Sequence, residues 1–219
     1  MTIRAKLYAA IVLTILGPLA TTAVALHGMG QMGDRFDEVQ ERARHESIAL
    51  ELKFGVTDVN GWQTAYGYDS GGSRPVFERT AARFQRDLAR AAATLTDPRE
   101  RELVAELRRD FAAFMALDRV AYRALRAGDE QRVRDIFLGP EIARFSAMAE
   151  TADQLAGYER RRADATERAF DEARDDARKR LITVALGAGI VIVLLLITAS
   201  DVARMALEGE RHVRARSDD

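Results

Sequence analysis

The residues best suited to chemistry lie in one short stretch, Asn60 to Tyr66. Trp62 is the only tryptophan, and Asn60, Gln63 and Tyr66 fall within one helical turn of it. Counting along the neighbouring segments brings Phe84, Tyr122 and Phe145 to about the same level. Amide groups among aromatic rings are what a small-ligand pocket between helices needs. Asn60, Trp62, Gln63, Tyr66, Tyr122 and Phe145 are therefore the candidate binding residues, for a small polar or amphipathic solute. The same residues also fit a packing role, with Trp62 and Tyr66 closing the end of a bundle or a seam between two copies.

Other chemistry is poorly supplied. His27, His45 and His212 are far apart in sequence, and none has a second ligand at metal spacing. No metal site and no cofactor are expected. There is no cysteine, hence no thiol nucleophile and no disulfide frame. No Ser/His/Asp arrangement, phosphate-cradling glycine loop or H-E-x-x-H motif occurs, and the carboxylates are interleaved with arginines as on a solvated helix face. The expectation is a protein that is not an enzyme. Arg160-Arg161-Arg162 would suit an anion such as a carboxylate, or simply a solvated charge run. A net charge of −1 with both signs interspersed argues against nucleic acid as a partner.

These residues must be held by helices. Leu181 to Ser200 is twenty residues without a charge or a proline, enough to span a hydrocarbon core of ~30 Å. Leu7 to Leu26 is a second uncharged run behind Arg4 and Lys6. Its rival reading is a cleaved signal peptide, with Ala23-Val24-Ala25 as the cleavage site, but it is longer than the usual 7–15 apolar residues. Gly17-Pro18 should bend it. The basic flank places the N-terminus inside, and two spans return the C-terminus to the same side. Lipid is then the first partner, in a membrane crossed twice.

The segment between the runs shows helical periodicity and no alternation of period two. The first helix, Met32 to Asp69, has two apolar stripes. Ile48, Leu52, Val56, Val59, Gln63 and Tyr66 form one; Leu50, Phe54, Thr57, Gly61, Thr64 and Tyr68 form the other. Two opposed stripes point to packing within one bundle and against a second copy, or to a helix central to its own bundle. Gly71 to Pro75 breaks the chain. Helices follow at Val76–Leu95, striped by Phe77, Phe84 and Leu88, and from Pro98 to Ala127, with Asp97 as N-cap and Gly128 as stop. The third stripe reads Leu103, Leu107, Phe111, Phe114, Leu117, Ala121 and Leu125. A short helical piece over 129–138 precedes Gly139-Pro140, which opens a rod running to about Ser200.

The fold class is therefore all-α: an antiparallel four-helix bundle whose first and last helices are continuous with two transmembrane helices. The division is 1–6 cytoplasmic, 7–26 membrane, 27–180 extracytoplasmic bundle, 181–200 membrane, and 201–219 cytoplasmic tail. The small residues Ala163, Thr166, Ala173 and Ala177 would bury little area between two helices, so a homodimer is expected.

Local sequence adds a resemblance. Asp58-Val59-Asn60-Gly61-Trp62-Gln63-Thr64-Ala65-Tyr66 resembles the end of the first helix in four-helix-bundle sensors of bacterial methyl-accepting chemotaxis receptors, of actinobacterial type. Ala127-Gly128-Asp129 and Leu138-Gly139-Pro140 resemble their third-to-fourth connection. The resemblance implies a sensor in which ligand or partner binding displaces one helix slightly against another, in signal transduction and chemotaxis. Such receptors continue into a HAMP relay and a long signalling coiled coil. Here only Asp201 to Asp219 follow the second run, without heptads or a proline-marked relay helix. The expectation is a sensor module without its own output domain, acting on another membrane protein. The alternatives are a non-sensing membrane adaptor or structural helical-bundle protein, and a remnant of a split receptor gene.

Overall fold

A computed structural model describes the backbone of residues 3–217 and the side chains of 12, 14–200 and 204. The side chains of Arg4, Lys6 and all of the 201–219 tail except Arg204, on which the expected topology rests, lie outside the described residues. The fold is all-α, and no strand occurs among the described residues. The helices are α1 (Ile3–Tyr68), α2 (Arg74–Thr94), α3 (Pro98–Arg126), α4 (Glu130–Ile136) and α5 (Ile142–Ser217), with a π-helical turn at Phe137–Glu141 before α5. The last helix does not stop near Ser200. The 201–217 segment is rich in Ala, Arg and Glu and has no proline, and its good helix formers outweigh the one glycine, Gly209.

Two compact units divide the chain. One comprises residues 1–36 and 169–219, the other 37–168. In the first, the rings of Phe36 and Phe170 lie 6.4 Å apart, and Arg35 donates to the Ala169 carbonyl at 3.4 Å. Pro18 lies inside α1. One helix among the described residues is long and apolar enough to cross a membrane: an 18-residue window within Glu130–Ser200 has a mean hydropathy of 2.8 and is not buried at all. Leu186, Ile190 and Leu196 all face outward there.

The 37–168 unit has one apolar core. Leu52, Val56 and Val59 of α1 meet Phe77, Phe84 and Leu88 of α2, Leu103, Leu107 and Phe114 of α3, and Met148, Ala152 and Leu155 of α5. The inward stripe of α1 is buried throughout, from Ile48 to Tyr66. Its second stripe is exposed throughout, with Phe54 at 65% and Tyr68 at 89%. Gly55 lets α1 approach α2 closely: a Cβ there would stand 2.5 Å from the Phe84 ring, which meets Phe111 edge to face at 4.9 Å. The third stripe departs from expectation in two places. Asp118, not Leu117, takes the core position. In the last turn Ala124 is buried and Leu125 only partly so.

The connections follow their residue types. Asp97 accepts from the Arg99 backbone N–H, and Glu100 accepts from that of Asp97, both at 2.9 Å, closing a capping box with Pro98 in the first turn. Gly128 adopts φ +72°, and the Asp129 N–H reaches back to the Ala124 carbonyl at 3.0 Å. Asp129 then caps α4 by accepting from the Arg132 N–H. At Gly139 (φ −111°, ψ −105°) the helical path is interrupted, and the wider turn before α5 carries Glu141 inward.

Candidate functional site

At this end of the 37–168 unit, one buried carboxylate gathers three donors from two helices. Asp118 Oδ1 accepts from the Tyr66 hydroxyl at 2.5 Å, the Arg74 guanidinium at 2.8 Å and the Gln63 amide at 3.2 Å. Gln63 also donates to Glu141. Glu141 is 2% exposed, and its Oε2 has no hydrogen-bond partner. The Arg74 guanidinium lies 4.3 Å from the centre of the Tyr122 ring, 4.8 Å from Phe77 and 5.0 Å from Tyr66. The Tyr66 ring meets Phe77, Tyr122 and Phe137 edge to face.

Charge in this network is unevenly shared. Burial pushes Glu141 up to about 8, the Gln63 amide pulls against that, and the Asp118 charge adds to it. The Glu141 carboxyl is thus mostly protonated at neutral pH. Tyr66 is pushed far above the usual phenol range, first by burial and then by Asp118. For Arg74, burial opposes the charge, but Asp118 and Glu78 outweigh it and hold the guanidinium charged.

Beside the network is a cleft of about 630 Å³. Asn60, Gln63 and Thr64 line it from α1, Val133 and Arg134 from α4, and Phe137, Leu138, Glu141 and Phe145 from the π-turn and α5. An apolar pocket with a few converging polar groups suits a small ligand. Its distinctive group is Glu141, whose free oxygen can accept from an N–H or O–H.

The six candidate residues separate into three groups. Asn60, Gln63 and Phe145 line this cleft. Tyr66 and Tyr122 belong to the aromatic network around Arg74. Trp62 does neither: it is 40% exposed and does not line the cleft. One residue along a helix turns the side chain by about 100°, so a neighbour in sequence is not a neighbour in the pocket. Sequence reasoning missed Asp118 and Glu141. Asp118 carried a signal, being a carboxylate spaced four from Phe114 and three from Ala121 in an apolar stripe. Glu141 carried none beyond its place after Gly139-Pro140. Of the three consecutive arginines, Arg160 and Arg161 are exposed, whereas Arg162 turns in to Asp97 (3.3 Å) and Glu100 (3.2 Å).

No family model matches the chain. Comparison with curated proteins and with solved structures gives no match either.

Proposed function

We propose that this chain is a membrane-anchored extracytoplasmic sensor module of chemoreceptor type, in which an antiparallel four-helix bundle binds a small amphipathic amine. The observation that carries this reading is Glu141: a buried carboxyl with one unpartnered oxygen, opening on an apolar cleft. An ammonium head bonds Oε2 while its hydrocarbon or aryl tail packs on Phe137 and Phe145. At neutral pH the arriving cation displaces the proton that Glu141 holds, so binding releases H⁺. The runs 7–26 and 181–200 serve as two spans. Occupancy shifts α5 against α1 by ~1–2 Å, a displacement of the size known for helix interfaces, and a membrane signalling partner receives it. The exposed α1 stripe with Phe54 and Tyr68 pairs two copies.

The test uses the full chain in detergent, titrated with hexylamine and phenethylamine and with their N-acetyl derivatives. Calorimetry in two buffers of different ionisation heat counts protons, and Trp62 fluorescence gives a second signal. Saturable amine binding with proton release, weakened about tenfold or more by Glu141→Gln, is the expected result. Equal binding of the acetylated compounds, or no binding, would refute it. That refutation would favour the adaptor reading, which rests on the same exposed stripe as a docking face.

A further inference from the structure

We propose that His45, Glu100 and Glu159 bind one divalent first-row transition-metal cation within the 37–168 unit. The three side chains come from α1, α3 and α5, and all are buried, at 4%, 0% and 0% exposure. One ligand atom from each lies within 4.8 Å of the others. His45 Nδ1 is 3.4 Å from Glu100 Oε1 and 3.9 Å from Glu159 Oε2. Donors 2.0–2.2 Å from a tetrahedral ion lie about 3.3–3.6 Å apart, so small side-chain adjustments close the set around a cation. The separation between His45 and Glu100 is 55 residues, which is why no spacing motif announced the cluster.

A second, independent observation points to a ligand. No N–H or hydroxyl donor reaches either oxygen of Glu159, although the side chain is fully buried with the Glu100 carboxyl beside it. A buried carboxylate left in this state is costly, and a cation coordinated by it removes that cost. Glu100 is already aimed. Its Oε2 is held by the Asp97 backbone N–H at 2.9 Å, leaving Oε1 turned toward His45. Arg42 and Arg162 also approach that Oε1, at 3.9 and 3.2 Å, but their side chains are 21% and 28% exposed and can swing to water when an ion takes the oxygen. On the other side of the imidazole, the Glu41 carboxylate stands 3.9 Å from Nε2, placed to orient the ring as carboxylates behind metal-bound histidines do.

The donor set selects the ion. One imidazole nitrogen with two carboxylates suits Mn²⁺, Fe²⁺, Co²⁺ or Zn²⁺, whereas Ca²⁺ and Mg²⁺ favour all-oxygen shells. Three protein ligands leave a position for water. An ion here ties α1, α3 and α5 together at one level.

The experiment titrates the full chain, stripped with a chelator and held in detergent, with Zn²⁺ and with Mn²⁺. Calorimetry reads affinity and stoichiometry, and helical circular dichroism reads the melting temperature. One ion per chain is expected, with a melting temperature that rises with metal concentration. Glu159→Gln keeps the shape and removes the unpaired charge, so it folds without metal; it weakens binding about tenfold or more and abolishes the rise. His45→Gln does the same. Absence of saturable binding for both ions, or binding and melting unchanged in Glu159→Gln, would overturn the proposal.

Discussion

Replacing Asp118 with alanine is expected to destabilise the 37–168 unit by ~3–5 kcal/mol, the range for breaking a buried ion pair by removing one partner. Asp118 is fully buried and Arg74 nearly so, with side-chain exposures of 0% and 11%. The substitution leaves the guanidinium, set among three aromatic rings, to the solvent-exposed Glu78 carboxylate at 3.0 Å. It also leaves the Tyr66 hydroxyl without its acceptor and frees one bond of the Gln63 amide. For a unit of this size the melting temperature should fall by about 10 °C or more. Asp118→Asn keeps an acceptor and loses only the charge, so its loss should be smaller. Pairing Asp118→Leu with Arg74→Met removes both charges, and the double variant should be more stable than the sum of the single effects. Thermal melts of Asp118→Ala, Asp118→Asn, Asp118→Leu, Arg74→Met and the double variant at one pH check all of this.

Stability should fall as the pH rises from about 4.5 to 8, the reverse of what most paired carboxylates give. The sign follows from Glu141. Its pKa is raised on folding, from 4.5 to about 8. Between those values the folded chain holds a proton that the unfolded chain has lost, so unfolding releases it and is favoured as pH increases. At ~1.4 kcal/mol for each pH unit crossed, the drop amounts to ~4 kcal/mol. Below pH 4.5 both states are protonated and the contribution is fully present. Glu159, pushed up to about 7 by burial and then by the Glu100 carboxyl beside it, acts in the same direction. Glu141→Gln keeps an acceptor for Gln63 and cannot ionise, so it should flatten the slope without removing it. On the acid side the trend reverses. The Ser73 hydroxyl holds Asp69, and the Arg99 N–H holds Asp97, below the usual aspartate range. Their contribution is present above that range and is lost as pH falls through it. Denaturant titrations of the parent chain and Glu141→Gln at pH 5, 6.5 and 8 measure the two slopes.

How much of this could be read from residues alone follows from the range of each interaction. Helices, stripes and caps depend on neighbours three or four positions away, and these were legible: Asp97 and Pro98 start α3, Gly128 ends it, and the two faces of α1 divide cleanly into buried and exposed. The cleft was half legible. Asn60, Gln63 and Phe145 came from level-counting along straight helices, which places residues by height but not by angle. Trp62 fails for that reason. Glu141 depends on the π-turn at Gly139, a local widening that no apolar period announces. Asp118 and Glu159 each interrupt an apolar stripe, one in α3 and one between Ala156 and Ala163 of α5. A carboxylate in such a position is a signal only once its partners on other helices are known. Arg74, His45 and Glu100 are those partners, and they are brought in by tertiary packing.

The most direct measurement of sensing takes nitroxide labels on cysteines placed at Asp58 of α1 and Glu150 of α5, both exposed, in a chain with no cysteine of its own. Distances are read by electron paramagnetic resonance on the full chain, with and without saturating phenethylamine. A shift of ~1–2 Å that disappears in Glu141→Gln is the predicted result. Unchanged distances at saturation would contradict it.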